Sequence, residues 1–353
     1  MTTMRGWVFR SRGTPAQVLK LEDDLPRPTA SSLGAHDVLV KVKYSSLFQA
    51  MAMLMTQIPH INSKPWIPEA TFSGVIEAVG NQVSRLKVQE EVSGGMPPNV
   101  LFKYGGTLAE YIIVPEQFVV RKPDNLSFEG AGGIALHVPT AQQFVEIAKL
   151  KKGSRVLVTG ASSGTGSIVV QVARDVVGDD GLVVGTCSSG NARMVEELGV
   201  HKVIDYTKYP ILHEYLAEQY DSEPFDAIID IVGGDWDLYK KCESYLKPDG
   251  VFIFVGDMSM VRGEANILAV LRMVLRIGVA SKLPVMLGGV PRRCLLHQGQ
   301  INGATLQKAA AYIAEGKVKP VTDRVVEMED VLKGYERVFS GRAKGKVIAH
   351  IQD

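Results

Sequence analysis

The run RVLVTGASSGTGSIVVQVARDV, residues 155–176, lies almost halfway along a chain of 353 residues. It reads as a buried strand, RVLVT, a glycine-rich turn, GASSGTG, and an amphipathic helix. A helix that opens straight out of such a turn offers unpaired backbone N–H groups to a phosphate. A nucleotide-binding parallel α/β domain is therefore expected around this point. Some 150 residues ahead of the turn need a separate explanation.

Those residues read as β-rich. VLVKVKY (38–44), FSGVIEAVG (72–80) and AEYIIV (109–114) are strand-like and separated by turn formers. From about 125 the pattern changes: RVLVT, LVVGT (182–186), KVID (202–205), DAIIDIV (226–232) and VFIFV (251–255) alternate with helix-like stretches. Such alternation implies a parallel sheet with crossover helices. After about 315 short strands return, VKPVTDRVV and KVIAHI, around one helical run, MEDVLKGYERVF. The α/β block thus reads as an insertion between two pieces of a β-rich domain.

Composition narrows the classes. The chain is 46% hydrophobic and 22% charged with net charge +1, and its basic residues are spread out, so no electrostatic case for nucleic acid exists. Cys187, Cys242 and Cys294 are the three cysteines, unpaired in spacing, which favours a reducing compartment and a cytosolic protein. The opening MTTMRGWVF, basic and rich in Trp7, Val8 and Phe9, reads as a first strand rather than an organelle presequence. Asn266 to Gly289 is apolar enough for a membrane check, but Arg272, Arg276 and Lys282 interrupt it. An Arg at mid-bilayer costs roughly 2.5–3.5 kcal/mol on insertion scales, so a soluble helix is expected there and no transmembrane segment. A pocket lid, a subunit contact in a homodimer and a membrane-surface contact stay open as roles for it.

TGASSGTG alone also fits the short-chain dehydrogenases, which need a Tyr with a Lys four residues on to lower the phenol pKa. None of the eleven Tyr has one, and such enzymes lack the long leading segment. Several blocks in order, GVIEAVGNQV (74–83), GGTLAEYIIVPE (105–116), KPDNLSFEGAG (122–132), LKKGSRVLVTGASSGTGS, ELGVHKVIDY (197–206) and GRAKGKVI, instead resemble the medium-chain dehydrogenase/reductase superfamily. The similarity is to its zinc-independent quinone oxidoreductase-like and enoyl reductase branch. The resemblance implies an α/β chain with a Rossmann doubly wound parallel sheet inserted into a GroES-like β-barrel catalytic domain, and an active site in the cleft. The expected boundaries are 1–124 and 311–353 for the catalytic domain and 125–310 for the Rossmann domain.

Gly160, Ser162, Ser163, Gly164, Thr165 and Gly166 are the expected pyrophosphate cradle, with Ser163 standing where a middle glycine is usual. Gly233 and Gly256, after the fourth and fifth strands of the block, are expected to let backbone approach the nicotinamide half. An NAD site wants an acid at the end of the second strand, but GTCSSGNAR has none. Ser188, Ser189 and Arg193 suit a 2′-phosphate, and Tyr206 matches the family's Tyr beside it, so NADPH is the expected cofactor. The resemblance places Thr140 against the nicotinamide. His137, three residues earlier, is a candidate proton donor, although a lone His in an apolar run is more often structural. No metal is expected: no Cys precedes Cys187, and His36, His60 and His137 have no ligand spacing.

Relatives often carry LNPVD where this chain has LFQAM, and PGxDFSG where it has PEATFSG. Phe48 and Met51 thus replace a polar pair, with Met55 ending the run MAMLM, while Glu69 and Thr71 replace Gly and Asp. Phe48, Met51 and Met55 are candidate pocket residues, with core filling as the competing role of the methionines. The chain is expected to be an NADPH-dependent reductase passing hydride to an electron-poor C=C of a bulky apolar enone, or to a quinone. A trans-acting enoyl reductase on a carrier-bound substrate, and a binding or regulatory protein with vestigial catalysis, are the alternatives.

Overall fold

The apolar alternation of VLVKVKY produces β3 (Asp37–Leu47), around which the first part of the molecule is built. The computed structural model describes residues 2–57, 65–256, 267–280 and 282–353. Two compact units result, residues 1–139 with 300–353, and residues 140–299.

In the first unit β3 pairs antiparallel with β4 (Thr71–Val79), β6 (Tyr111–Pro115) and β15 (Lys346–His350). β5 (Glu91–Gly95) and β7 (Val119–Arg121) extend the sheet beyond β4, and β14 (Thr322–Glu327) lies parallel to β15 at the other edge. Val40 of β3 faces Ile76 of β4, and both are fully buried with Val38, Val42, Phe72 and Val92. β1 (Thr3–Val8) pairs with β2 (Lys20–Pro26), so the basic opening segment does form a strand.

The second unit is an all-parallel sheet in the order β10-β9-β8-β11-β12-β13. Its strands are β8 (Arg155–Thr159), β9 (Leu182–Cys187), β10 (Lys202–Asp205), β11 (Phe225–Asp230), β12 (Leu246–Phe254) and β13 (Arg293–Leu296). Runs such as Val156–Val158 and Ala227–Ile229 are wholly buried, as strands covered on both faces must be. The chain leaves β8 first to one side and then to the other. Ligands of doubly wound sheets bind at such a reversal, at the carboxyl ends of the strands.

The unit boundaries fall at 139/140 and 299/300, whereas 124/125 and 310/311 were expected. Packing explains the shift. The helix Phe128–Ile134 lies on β3, β4 and β15, and the helix Gly303–Ala314 lies against β7, so both belong with the β-rich unit. Within the segment Asn266 to Gly289, residues Ile267–Ala280 form a helix, seated on β13 through Ile277 and Ala280. Arg276 stacks its guanidinium 5.1 Å from the Trp236 ring. Among the described residues no helix is long and apolar enough to cross a membrane.

Candidate active site

β8 ends at Thr159, and the chain turns through Gly160 in the left-handed region at φ 60°. A Cβ on Gly166 would fall 2.1 Å from the Gly160 carbonyl oxygen, so only glycine lets the helix Gly166–Val177 start this close to the strand. Ser163 closes the turn from within: its N–H donates to Gly160 O at 2.9 Å and its Oγ accepts from Gly166 N at 3.0 Å. The Ser162 hydroxyl accepts from Asn191 Nδ2. Among the described residues the backbone N–H groups of Ser162, Gly164 and Thr165 have no acceptor. Three free amides at the start of a twelve-residue helix fit a pyrophosphate.

Asp230 is a site residue that sequence reasoning missed. It faces Thr159 across β11 and β8, where the strand order reverses. Thr159 Oγ1 donates to Asp230 Oδ1, which also accepts from Gly233 N at 3.0 Å. Gly233, at φ 65°, is thereby tied to the end of the phosphate strand. Burial pushes the Asp230 carboxyl up, against the opposing pull of these hydrogen bonds. The available signal was an acid closing the apolar run AIID.

Beyond β9, Ser188 is half-buried, and Ser189 and Tyr206 are exposed. Tyr206 N donates to Cys187 O, which brings the ends of β9 and β10 together. The Arg193 side chain is 92% exposed and its Nε lies 2.9 Å from Glu197 Oε1. An acid does stand nearby, Asp205, but at the end of the third strand. Its carboxylate accepts from Thr207 N and Oγ1, and these bonds, Ser189 assisting, hold it below the usual carboxylate range.

Thr140 lies on the helix His137–Ile147 and is packed by Gly299, where an added Cβ would fall 2.2 Å from Thr140 Oγ1. The backbone N–H of His297, just past β13, donates to Phe254 O, and its ring bonds Gln143 Oε1 through Nε2. Burial lowers its pKa, so the ring is neutral. Gly256 follows β12 with open space where a Cβ would point. Gly160 to Gly166, Gly233, Gly256 and His297 to Gly299 thus all lie at the carboxyl ends of their strands.

In the first unit Phe48 is half-buried and stacks on His137, centroids 5.2 Å apart and planes at 8°. Lys346 Nζ lies 3.7 Å over the same ring and 3.2 Å from His137 Nε2. Glu69, fully buried, accepts through Oε1 from Phe48 N at 3.1 Å and from the Tyr335 hydroxyl. Its φ is 72°, a left-handed conformation that costs a non-glycine residue roughly 1–3 kcal/mol. Sequence reasoning noted the Glu69 exchange but missed Lys346 and Tyr335. A lysine opening the apolar run KVIAHI was the only hint.

A family model described as alcohol dehydrogenase GroES-like domain matches residues 34–124, and one described as zinc-binding dehydrogenase matches 198–348. A trans-enoyl reductase of Penicillium oxalicum is 33% identical, the alignment covering 100% of this chain and 99% of that protein. The chain is a medium-chain dehydrogenase/reductase. Within this superfamily it falls in the zinc-independent branch. A 2-methylene-furan-3-one reductase of Solanum lycopersicum is 31% identical over 98% of this chain and 79% of its own length. The quinone oxidoreductase structure from Coxiella burnetii superposes with a TM-score of 0.78 at 24% identity, covering 99% of this chain and 100% of that one. Members are oxidoreductases that use nicotinamide cofactors, and the free amides of the turn fit one.

One expectation changes with this geometry. Met51 and Met55 are 8% and 1% exposed and belong to the core of the first unit with Phe9, Trp66 and Leu101, so they fill the core and leave Phe48 as the pocket candidate. Met53's side chain lies outside the described residues. Among the described residues no three His, Cys, Asp or Glu are grouped as a metal site. Burial raises the Cys187 and Cys242 thiols to about 11 and about 12, which opposes the thiolate that zinc would need.

Proposed function

We propose that this chain is an NADPH-dependent reductase of electron-poor C=C bonds, acting on the enoyl group of a thioester or on an enone. The observation that carries the cofactor half is the set of free amides at Ser162, Gly164 and Thr165 at the point where the strand order reverses. Gly160 and Gly166 let the backbone close on the pyrophosphate, and Ser163 holds the turn's shape. A reduced nicotinamide bound there supplies hydride. Thr140, fixed by Gly299, Gly233, fixed by Asp230, and Gly256 then bound its nicotinamide half. Ser188, Ser189 and Tyr206 receive the 2′-phosphate, and Arg193 joins them by exchanging Glu197 for it.

The full-length trans-enoyl reductase relative supports the enoyl reading, and the furanone reductase supports the enone one. Phe48, a half-buried aromatic ring, favours a substrate with an apolar chain or ring. Burying a further 100 Å² of apolar ligand contributes about 2.5 kcal/mol before ordering costs.

NADPH oxidation with matched series of trans-2-enoyl thioesters, enones and quinones tests this. Efficiency should rise with chain length among the thioesters or enones and fall in Phe48→Asn for the longest most. Turnover of quinones alone, or a flat series, would contradict the reading.

A further inference from the structure

The helix Ile267–Ala280 buries Ile277 and Ala280 against β13, and its other side faces outward. Arg272, Leu275, Arg276 and Val279, at helical spacings of three, four and seven, share that outer side and are all exposed. Leu283 and a single turn, Val285–Leu287, continue the apolar surface. Val285, Met286 and Leu287 are 60%, 90% and 66% exposed, which leaves nearly the whole of each side chain to solvent. Six large apolar side chains exposed within residues 275–287 make a run, unlike the scattered singles of an ordinary surface.

Hydrogen bonds fix the tip of this surface. Leu287 N donates to Pro284 O and Gly288 N to Val285 O, both at 2.9 Å, and Gly289 N donates to Pro284 O at 3.1 Å. Gly288 turns the chain back at φ 82°, and a Cβ on Gly289 would fall 1.9 Å from Leu283 O. Val290 N then donates to Ala280 O and closes the excursion. Backbone groups paired within a turn lose little on leaving water, so burial of the tip is governed by its apolar side chains. The charges of the segment have one sign. Residues 267–299 contain Arg272, Arg276, Lys282, Arg292 and Arg293 and no Asp or Glu. Arg276 lies over Trp236, and the acids flanking that ring are engaged, Asp235 by Asp237 N and Leu238 N and Asp237 by Lys240.

We infer that this face, carried by Leu275, Val279, Leu283 and the turn Val285–Leu287, docks on the surface of an anionic lipid bilayer. Val285, Met286 and Leu287 enter the boundary between headgroups and acyl chains. Arg272, Arg276 and Lys282 stay among the anionic headgroups while their stems lie along the apolar surface. A second copy of the chain fits this face less well. A two-fold contact sets a patch against itself, which brings these cations together with no acid between them. The attachment is peripheral, because a helix of 14 residues carrying two arginines is too short and too charged to cross. The inference does not depend on the reaction proposed above.

Co-sedimentation of the full chain with lipid vesicles tests this. At about 0.05 M salt the protein should bind vesicles of phosphatidylcholine and phosphatidylserine in equal parts at least about tenfold more tightly than phosphatidylcholine alone. Raising the salt to about 0.5 M should remove most of that margin. Met286→Asp with Leu287→Asp should weaken binding about tenfold or more on both kinds of vesicle. Arg272→Gln with Lys282→Gln should lose about tenfold on the anionic vesicles and little on the neutral ones. Each pair alters exposed side chains, so both variants should melt as the wild type does. Met286→Trp should gain a blue-shifted emission on anionic vesicles, which reads insertion of the tip directly. Wild-type protein left in the supernatant by anionic vesicles, or binding unchanged in the Asp pair, overturns the inference. A dimer in sedimentation velocity that the Asp pair dissolves, with the wild type unbound to vesicles, assigns the face to a second copy and equally overturns it.

Discussion

Arg193 is held by Glu197, one turn further along the same short helix, with Nε 2.9 Å from Oε1. An exposed pair at this spacing is worth only a few tenths of a kcal/mol. A 2′-phosphate, with more charge and a bidentate fit, outcompetes the carboxylate. NADPH should therefore bind at least about tenfold more tightly than NADH, a difference of about 1.4 kcal/mol. Arg193→Ala should erase most of that margin, and Glu197→Gln should tighten NADPH about twofold to fivefold while leaving NADH unchanged. Titration calorimetry of both cofactors against the three proteins checks this. Equal affinities in the wild type would contradict it.

Gly299 should tolerate no side chain. At φ 75° any other residue is strained, and a Cβ would stand 2.2 Å from Thr140 Oγ1. Gly299→Ala should lower stability by about 1–3 kcal/mol and weaken cofactor binding, since Thr140 must move. Adding Thr140→Ala should recover part of the stability without recovering the binding. Denaturant unfolding and cofactor titration measure the two losses separately. Unaltered binding in Gly299→Ala would remove Thr140 from the site.

Much of this site was readable from residues alone because it is local. RVLVT-GASSGTG-SIVVQVARDV fixes its strand, turn and helix within some twenty residues, and the structure follows it strand for strand. Residues that work through distant partners were not readable. Asp230 acquires meaning only opposite Thr159, 71 residues away, and Lys346 only beside His137, 209 residues away. The methionines at 51 and 55 misled for a related reason: a Met run has the same composition in a core as in a pocket, and only burial separates them. The unit boundaries shifted because the helices near 130 and 310 carry no sequence mark of the sheet on which they pack.

Stability should pass through a minimum between about pH 7 and 8. Glu69 has its folded pKa raised from 4.5 to about 8, so its contribution is full below 4.5 and lost as pH rises through 8. Lys346 has its folded pKa lowered from 10.5 to about 7, so its contribution is present above 10.5 and lost as pH falls through 7. Lys346→Met should thus be more stable than wild type at pH 6, where the buried ammonium carries its charge. The gain should vanish toward pH 10.5. Thermal melts across pH read this, and a destabilised variant at pH 6 would contradict the buried charge.

Activity should be indifferent to chelators, and metal analysis of active protein should find no stoichiometric zinc. The first half of the chain has no cysteine, and the thiols at 187 and 242 are buried with raised pKa. Activity lost to a strong chelator and restored by zinc would overturn this expectation.

The most direct test follows the hydride itself. NADPH carrying deuterium at the transferable nicotinamide position is incubated with the protein and a trans-2-enoyl thioester or an enone, and the product is analysed by mass spectrometry and NMR. The account predicts a saturated product with one deuterium on the β-carbon and the carbonyl intact. An allylic alcohol with deuterium on the former carbonyl carbon, or no product while NADPH remains bound, would contradict it.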